Sequence, residues 1–224
     1  MWMPDPRLEI EIKLIPDGAE SSARLPSVLR ELRVAAEAHG LKRVEDTYLD
    51  TASWDMYQSG FACRLRRTGT TAVLTLKALR PIQESLAQRE ELEEELPDAP
   101  LDPTQLRPRR LQSFLEERTK GKPLRVLFRL AQEREVWQVR GHGFEAELSM
   151  DRCHFHTPKG AHEEREVELE LSDGAPAALR AFAARLVRLT GWRPGGASKF
   201  QRGLELAGLA PPALPGGSQP GVVP

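Results

Sequence analysis

The strongest constraint on this chain is a period of two in polarity. In Leu8-Glu9-Ile10-Glu11-Ile12-Lys13-Leu14, apolar and charged residues alternate without a break. An extended strand sends successive side chains to opposite faces, so this run has one apolar and one charged face. Similar alternation predicts strands over 61–67, 71–79, 89–96, 132–139, 144–151 and 165–171, with another over 44–49. The turn Arg140-Gly141-His142-Gly143 between two of these runs predicts a hairpin. About eight strands are enough to close a small barrel.

Helical periods are fewer. They predict helices over 26–39, stopped by Gly40; over 111–120, stopped by Gly121; over 175–190, stopped by Gly191 with Asp173 as a candidate cap; and over 198–209, capped by Ser198. The proline-rich stretch 97–108 predicts a loop. Residues 210–224, APPALPGGSQPGVVP, read as an unstructured Pro/Gly-rich tail or linker after a domain over 1–209.

The balance of 32 Lys+Arg against 33 Asp+Glu argues against a general nucleic-acid binder. No run approaches the roughly 20 apolar residues of a membrane span, and the N-terminus does not read as a signal peptide. Two cysteines cannot make a disulfide framework. The expectation is a cytoplasmic protein without a membrane or nucleic-acid partner, its oligomeric state, monomer or homodimer, left open.

For a single strand, the ordinary arrangement is apolar face to core and charged face to water. Taken together, the strands favour another. Arg64 and Arg66 share a face, as do Thr75 and Lys77; Arg89, Glu91, Glu93 and Glu95; Glu145, Glu147, Ser149 and Asp151; and Glu166, Glu168 and Glu170. The expected fold is α+β: a closed eight-stranded antiparallel β-barrel with flanking helices on its apolar outer face and charges lining the lumen. Charges confined in a lumen must be paired or must hold ions. Carboxylate oxygens suit hard cations such as magnesium or manganese, and Arg and Lys clusters suit phosphate oxygens. Both together suit a metal-bound polyphosphate.

These residues carry a resemblance to a known family. Glu9-x-Glu11-x-Lys13 resembles the ExExK motif of the CYTH superfamily, also called triphosphate tunnel metalloenzymes. The likeness continues through Asp46-Thr-Tyr-Leu-Asp50-Thr, Arg64-x-Arg66, Thr75-Leu-Lys77, Arg89-x-Glu91, Arg134-Glu-Val-Trp137, Asp151, Glu166-Val-Glu168-Leu-Glu170 and Ser198-Lys199, and is greatest to bacterial inorganic triphosphatases. It implies a charge-lined eight-stranded tunnel and hydrolysis of inorganic triphosphate to diphosphate and phosphate by a metal-activated water. Glu9, Glu11, Asp151, Glu166, Glu168 and Glu170 are then the implied metal ligands, for Mg2+ or Mn2+. Lys13, Arg64, Arg66, Lys77, Arg89, Arg134 and Lys199 are the implied holders of a small-molecule triphosphate substrate, with Arg202 as an outer contact. The resemblance makes Lys77 with Tyr48 a candidate proton-transfer pair, and pairs Arg89 with Glu91.

The family also includes class IV-type adenylate cyclases, so a cyclase is the alternative enzyme. A non-catalytic polyphosphate- or nucleotide-binding module is the alternative from another class. Ala62 stands where animal thiamine triphosphatases carry a stacking tryptophan, which lowers that reading. Cys153, His154 and His156 lack a second ligand pair for zinc. Glu94 reads as part of a solvated acidic run, Arg107 to Arg110 as a solvated basic loop, and Trp54 as a packing aromatic near the tunnel mouth.

Overall fold

The computed structural model describes residues 7–18, 21–79, 86–97 and 99–214. Its frame is the closed antiparallel barrel of eight strands: β1 (Arg7–Ile15), β2 (Ala35–Thr51), β3 (Phe61–Thr68), β4 (Thr71–Ala78), β5 (Leu86–Glu95), β6 (Leu124–Gly141), β7 (Phe144–Thr157) and β8 (Gly160–Gly174). The order is β5-β4-β3-β2-β6-β7-β8-β1, and β1 closes the ring on β5. A two-residue strand, β9 (Arg193–Pro194), also pairs with β1. The helices are α1 (Ser21–Glu31), α2 (Asp55–Gln58), α3 (Gln112–Thr119), α4 (Pro176–Thr190) and α5 (Lys199–Ala207).

The apolar faces point outward under these helices. Ile12, Leu14, Leu148, Val167 and Leu169 are buried against Leu25 and Leu29 of α1 and Leu179, Phe182 and Leu186 of α4. Phe144 meets Phe182 with ring centroids 4.9 Å apart. A second cluster joins Leu65, Leu74, Leu76 and Leu92 to Leu111 and Leu115 at α3. Each such side chain contributes roughly 1.5–3 kcal/mol when fully buried. The barrel is therefore held from outside, which leaves its interior free for charge.

One end of the barrel is different. Tyr48, Phe128, Leu130, Cys153 and Phe155 form an apolar group with Phe200 and Leu204 of α5. Ser198 and Gln201 form a reciprocal cap at the start of α5. The helix then sits so close that a Cβ on Gly203 would overlap the Phe128 ring. This docking carries Lys199 into the lumen.

Several expected boundaries are corrected. Residues 26–39 are not one helix: α1 ends at Glu31, Arg33 turns the chain at φ 56°, and 35–38 join β2 opposite Trp137–Arg140 of β6. Alanine favours helix, but here strand pairing overrides that weak preference. Gly40 is not a helix end; its φ of 82° lies at a β-bulge. Asp173 is the penultimate residue of β8 and does not cap α4, which starts on Pro176 without a side-chain cap. Residues 210–214 carry no regular structure, and 215–224 of the expected tail lie outside the described residues. No helix among the described residues is long and apolar enough to cross a membrane.

Glu94 is also corrected: it is buried, and its carboxylate accepts backbone N–H bonds from Arg109, Arg110 and Leu111 at 2.6, 2.9 and 2.8 Å. It anchors the loop that leads into α3. Glu94→Ala should lower unfolding free energy by about 1–3 kcal/mol, since it strands buried donors; urea denaturation checks this, and an unchanged midpoint would contradict the anchor. Gly203→Ala should cost a similar ~1–3 kcal/mol through overpacking, seen as a lower thermal midpoint.

Candidate active site in the barrel lumen

The pleat that sends Ile12 and Leu14 outward sends Glu9, Glu11 and Lys13 inward. All three are buried, Lys13 to 2% exposure. They line a cavity of about 270 Å³ inside the barrel together with Arg64, Arg66, Lys77, Arg89, Glu91, Arg134, Glu168 and Lys199. Arg7, Glu147 and Glu170 line it at one end of the strands, and Ala62, Leu79, Tyr48 and Phe200 at the other. Both signs of charge are present in near balance.

The charges form three groups. In the first, Lys77 Nζ pairs with Glu9, with Glu91 at 3.1 Å and with Glu11 at 3.9 Å, while Arg89 pairs with Glu11. The expected Arg89–Glu91 pair is thus replaced by Arg89–Glu11 and Lys77–Glu91, because β1 lies beside β5 with Glu9 opposite Arg89. In the second group, Lys13 lies 3.1 and 3.3 Å from Glu166 and Glu168. Arg134 grips Asp151 through two nitrogens at 2.8 and 2.6 Å and reaches Glu168 at 2.7 Å. Lys199 lies 2.8 Å from both Asp151 and Glu168, and also pairs with Glu166.

The third group was only partly legible in the sequence. Asp46, 1% exposed, takes two bonds of 2.8 Å from Arg66 and one of 2.8 Å from Gln132, with Arg64 at 3.8 Å. It is an inward-facing carboxylate that holds two guanidinium groups in the lumen. The signal was available: Asp46 stands opposite Arg66 across β2 and β3 and shares their inward face. Thr75 links Arg64 to Glu93 at 3.2 and 3.0 Å.

Burial opposes every charge here, so proton affinities show which partners win. Burial would lower Lys13, Lys77 and Lys199, but the carboxylates around each outweigh it and hold all three above the usual lysine range. Burial would likewise raise Asp46, but Arg66 and Arg64 hold it at about 2. Burial raises Glu168 too, yet Lys199, Lys13 and Arg134 pull it well below the ordinary range. Glu9 goes the other way. Burial, then the adjacent Glu11, push it up to about 7, only partly offset by Lys77. Burial raises Glu166 and Glu170 above their ordinary range.

These directions change the expectation for proton transfer. The carboxylates of Glu11, Glu9 and Glu91 hold Lys77 protonated in this arrangement. Burial, with Asp46, raises the Tyr48 hydroxyl, whose ring stacks on Phe128 at 4.6 Å. Both groups of the candidate pair therefore hold their protons more firmly here than free side chains do.

The donor set fits a hard divalent cation. Glu9, Glu11 and Glu91 crowd their carboxylates around the one ammonium of Lys77, which touches Glu9 and lies 3.1 Å from Glu91 and 3.9 Å from Glu11. Asp151 and Glu166 also bring carboxylate oxygens within 4.8 Å of one another, with Lys199 between them; the Cys153 sulfur beside them is a soft donor whose thiol burial pushes well up, so it adds nothing for a hard cation. Arg64 Nε and Arg89 Nε are buried donors without hydrogen-bond partners among the described residues.

Some expected residues are elsewhere. Arg202 does not line the cavity; it bonds Glu164 at 2.7 Å and Glu205 at 2.9 Å, fastening α5 to β8. Trp54 also stands off the cavity, at φ 62° before α2, with Arg125 over its ring. Cys153 points inward, whereas the neighbouring His154 interacts with Glu163 on the outer surface; strand alternation keeps them from forming one zinc site. Arg107, Arg109 and Arg110 are exposed.

Comparison with known proteins agrees with this geometry. A Hippeastrum adenylyl cyclase candidate, described as having a dominant triphosphatase activity, is 22% identical, with 90% of this chain and 97% of that one covered and a TM-score of 0.67. An adenylate cyclase candidate from Bacillus halodurans is 19% identical over 87% and 97%, with a TM-score of 0.61. PH1819 from Pyrococcus horikoshii gives 19%, 87%, 98% and 0.55. At these identities the likeness is one of fold. The CYTH domain model matches residues 7–204, which spans the barrel and the first two thirds of α5. The chain belongs to the CYTH domain family.

Proposed function

We propose that this protein is a metal-dependent triphosphatase that hydrolyses inorganic triphosphate to diphosphate and phosphate. The observation that carries the proposal is the closed lumen in which carboxylates and cations face one another. A phosphate chain brings several negative charges into a cavity already near balance. It would enter with a counter-cation, and Glu9, Glu11 and Glu91, three carboxylates that share Lys77 and Arg89, are where this cavity has acceptors to spare.

Arg64, Arg66 and Lys77 would bind phosphate oxygens from one wall, and Lys13, Arg134 and Lys199 from the other. Asp46 keeps Arg66 extended, so its orientation is set before substrate arrives. Cations fixed in place by partner carboxylates stabilise the charge that develops on a transferring phosphoryl group without reorganising. Glu9, Glu11, Asp151, Glu166, Glu168 and, at the rim, Glu170 would hold magnesium or manganese, which neutralises phosphate charge and makes water a stronger nucleophile. The carboxylates paired with Lys77, Lys13 and Lys199 would be the ones to hold the metal, and those lysines would then be available to phosphate oxygens.

The test is product release from tripolyphosphate, ATP and thiamine triphosphate with Mg2+, Mn2+ or chelator. The expected result is metal-dependent phosphate release, fastest from tripolyphosphate. Pyrophosphate with cyclic AMP from ATP would make the protein a cyclase, and binding without turnover would make it a binding module. Glu168→Gln should lower phosphate release by about 100-fold or more, a loss on the scale of one preorganised electrostatic contact; near-wild-type turnover by this variant would contradict the assignment.

A further inference from the structure

The first half of β2 is an unpaired edge. Residues 35–43 bond to β6 on one side, whereas β3 meets β2 only over Glu45–Leu49. The reason is length: the β3–β4 hairpin turns at Thr68–Thr71, while β2 and β6 run on past it. Among the described residues no strand pairs with the other edge of 35–43, and all nine residues are exposed. Leu41, 61% exposed, is one of few large apolar side chains at the surface. Such an edge is a template for another strand.

We infer that this edge pairs with the same edge of a second copy of the chain, making a two-fold symmetric dimer joined by antiparallel β2 strands. The argument is charge complementarity. The segment carries Glu37 on one side of the Gly40 bulge and Lys42 on the other. Glu37 stands opposite Gln138 and Lys42 opposite Arg134, and those β6 positions share a face; the bulge thus keeps Glu37 and Lys42 on one face too. Antiparallel pairing about the bulge sets Glu37 of each copy beside Lys42 of the other, twice by symmetry. On the opposite face, Ala38 of one copy meets Leu41 of the other and covers it. Gln138 pairs in turn with Glu147, which lines the cavity, so the contact would adjoin the tunnel rim. This inference is independent of the proposed reaction.

Sedimentation velocity on the full chain over a range of concentrations tests it, with circular dichroism confirming that each variant is folded. The wild type should dimerise. Glu37→Lys and Lys42→Glu should each weaken association by about tenfold or more, as two cross-strand pairs pass from attraction to repulsion. The double variant Glu37→Lys/Lys42→Glu should restore it. A wild-type monomer throughout would overturn the inference and make the bulge and Lys42 guards against pairing. So would a dimer indifferent to both single reversals, or a double variant as weak as the singles.

Discussion

Everything in this molecule follows from placing ionised side chains inside a closed sheet. An isolated charge taken from water costs several kcal/mol even after relaxation. Lumen charges are therefore tolerable only in groups, and the barrel supplies them: Lys77 among three carboxylates, Lys199 among three more, and Asp46 between two arginines. Breaking one member of such a group typically costs about 3–5 kcal/mol. The apolar clusters outside the sheet offset the expense of the interior. The helices matter to the site for this reason, although only α5 places a charged side chain in the lumen.

The same constraint connects stability with function. A set of charges satisfied only by one another can exchange partners when a ligand of matching charge arrives. Lys13, Lys77 and Lys199 are held protonated, and Asp46 and Glu168 ionised. Burial and the adjacent Glu11 push Glu9 up to about 7, against the pull of Lys77. A lumen in which three carboxylates share Lys77 and Arg89 is suited to admit a cation with its anion. That physical argument, added to the family's fold, favours a site that takes metal and phosphate together.

Much of this was legible because strand alternation is a rule of geometry. Glu9, Glu11 and Lys13 could be placed in the lumen from the pattern alone once several strands were compared. What the pattern could not show was register. Arg89 pairs with Glu11 rather than Glu91 because of how β1 meets β5, a long-range fact. Glu94 looked like one more solvated glutamate, and its burial depends on a loop folding back over it. Arg202 sits on the outer side of α5, whose placement rests on Phe200 and Gly203. The alanines at 35, 36 and 38 favour a helix locally, and only the presence of β6 makes them a strand. Those errors share one cause: each needed a partner distant in the chain.

The central claim is that the paired charges of the lumen are a site for a metal-bound phosphate chain. The most direct measurement is anomalous diffraction from crystals of the full chain grown with manganese and tripolyphosphate. The account predicts a manganese peak within the barrel beside the Glu9–Glu11 carboxylates and phosphate density against Arg64, Arg66 and Lys77. Manganese bound only outside the barrel, or a lumen whose lysine–carboxylate pairs persist unchanged beside an ordered ligand elsewhere, would contradict it.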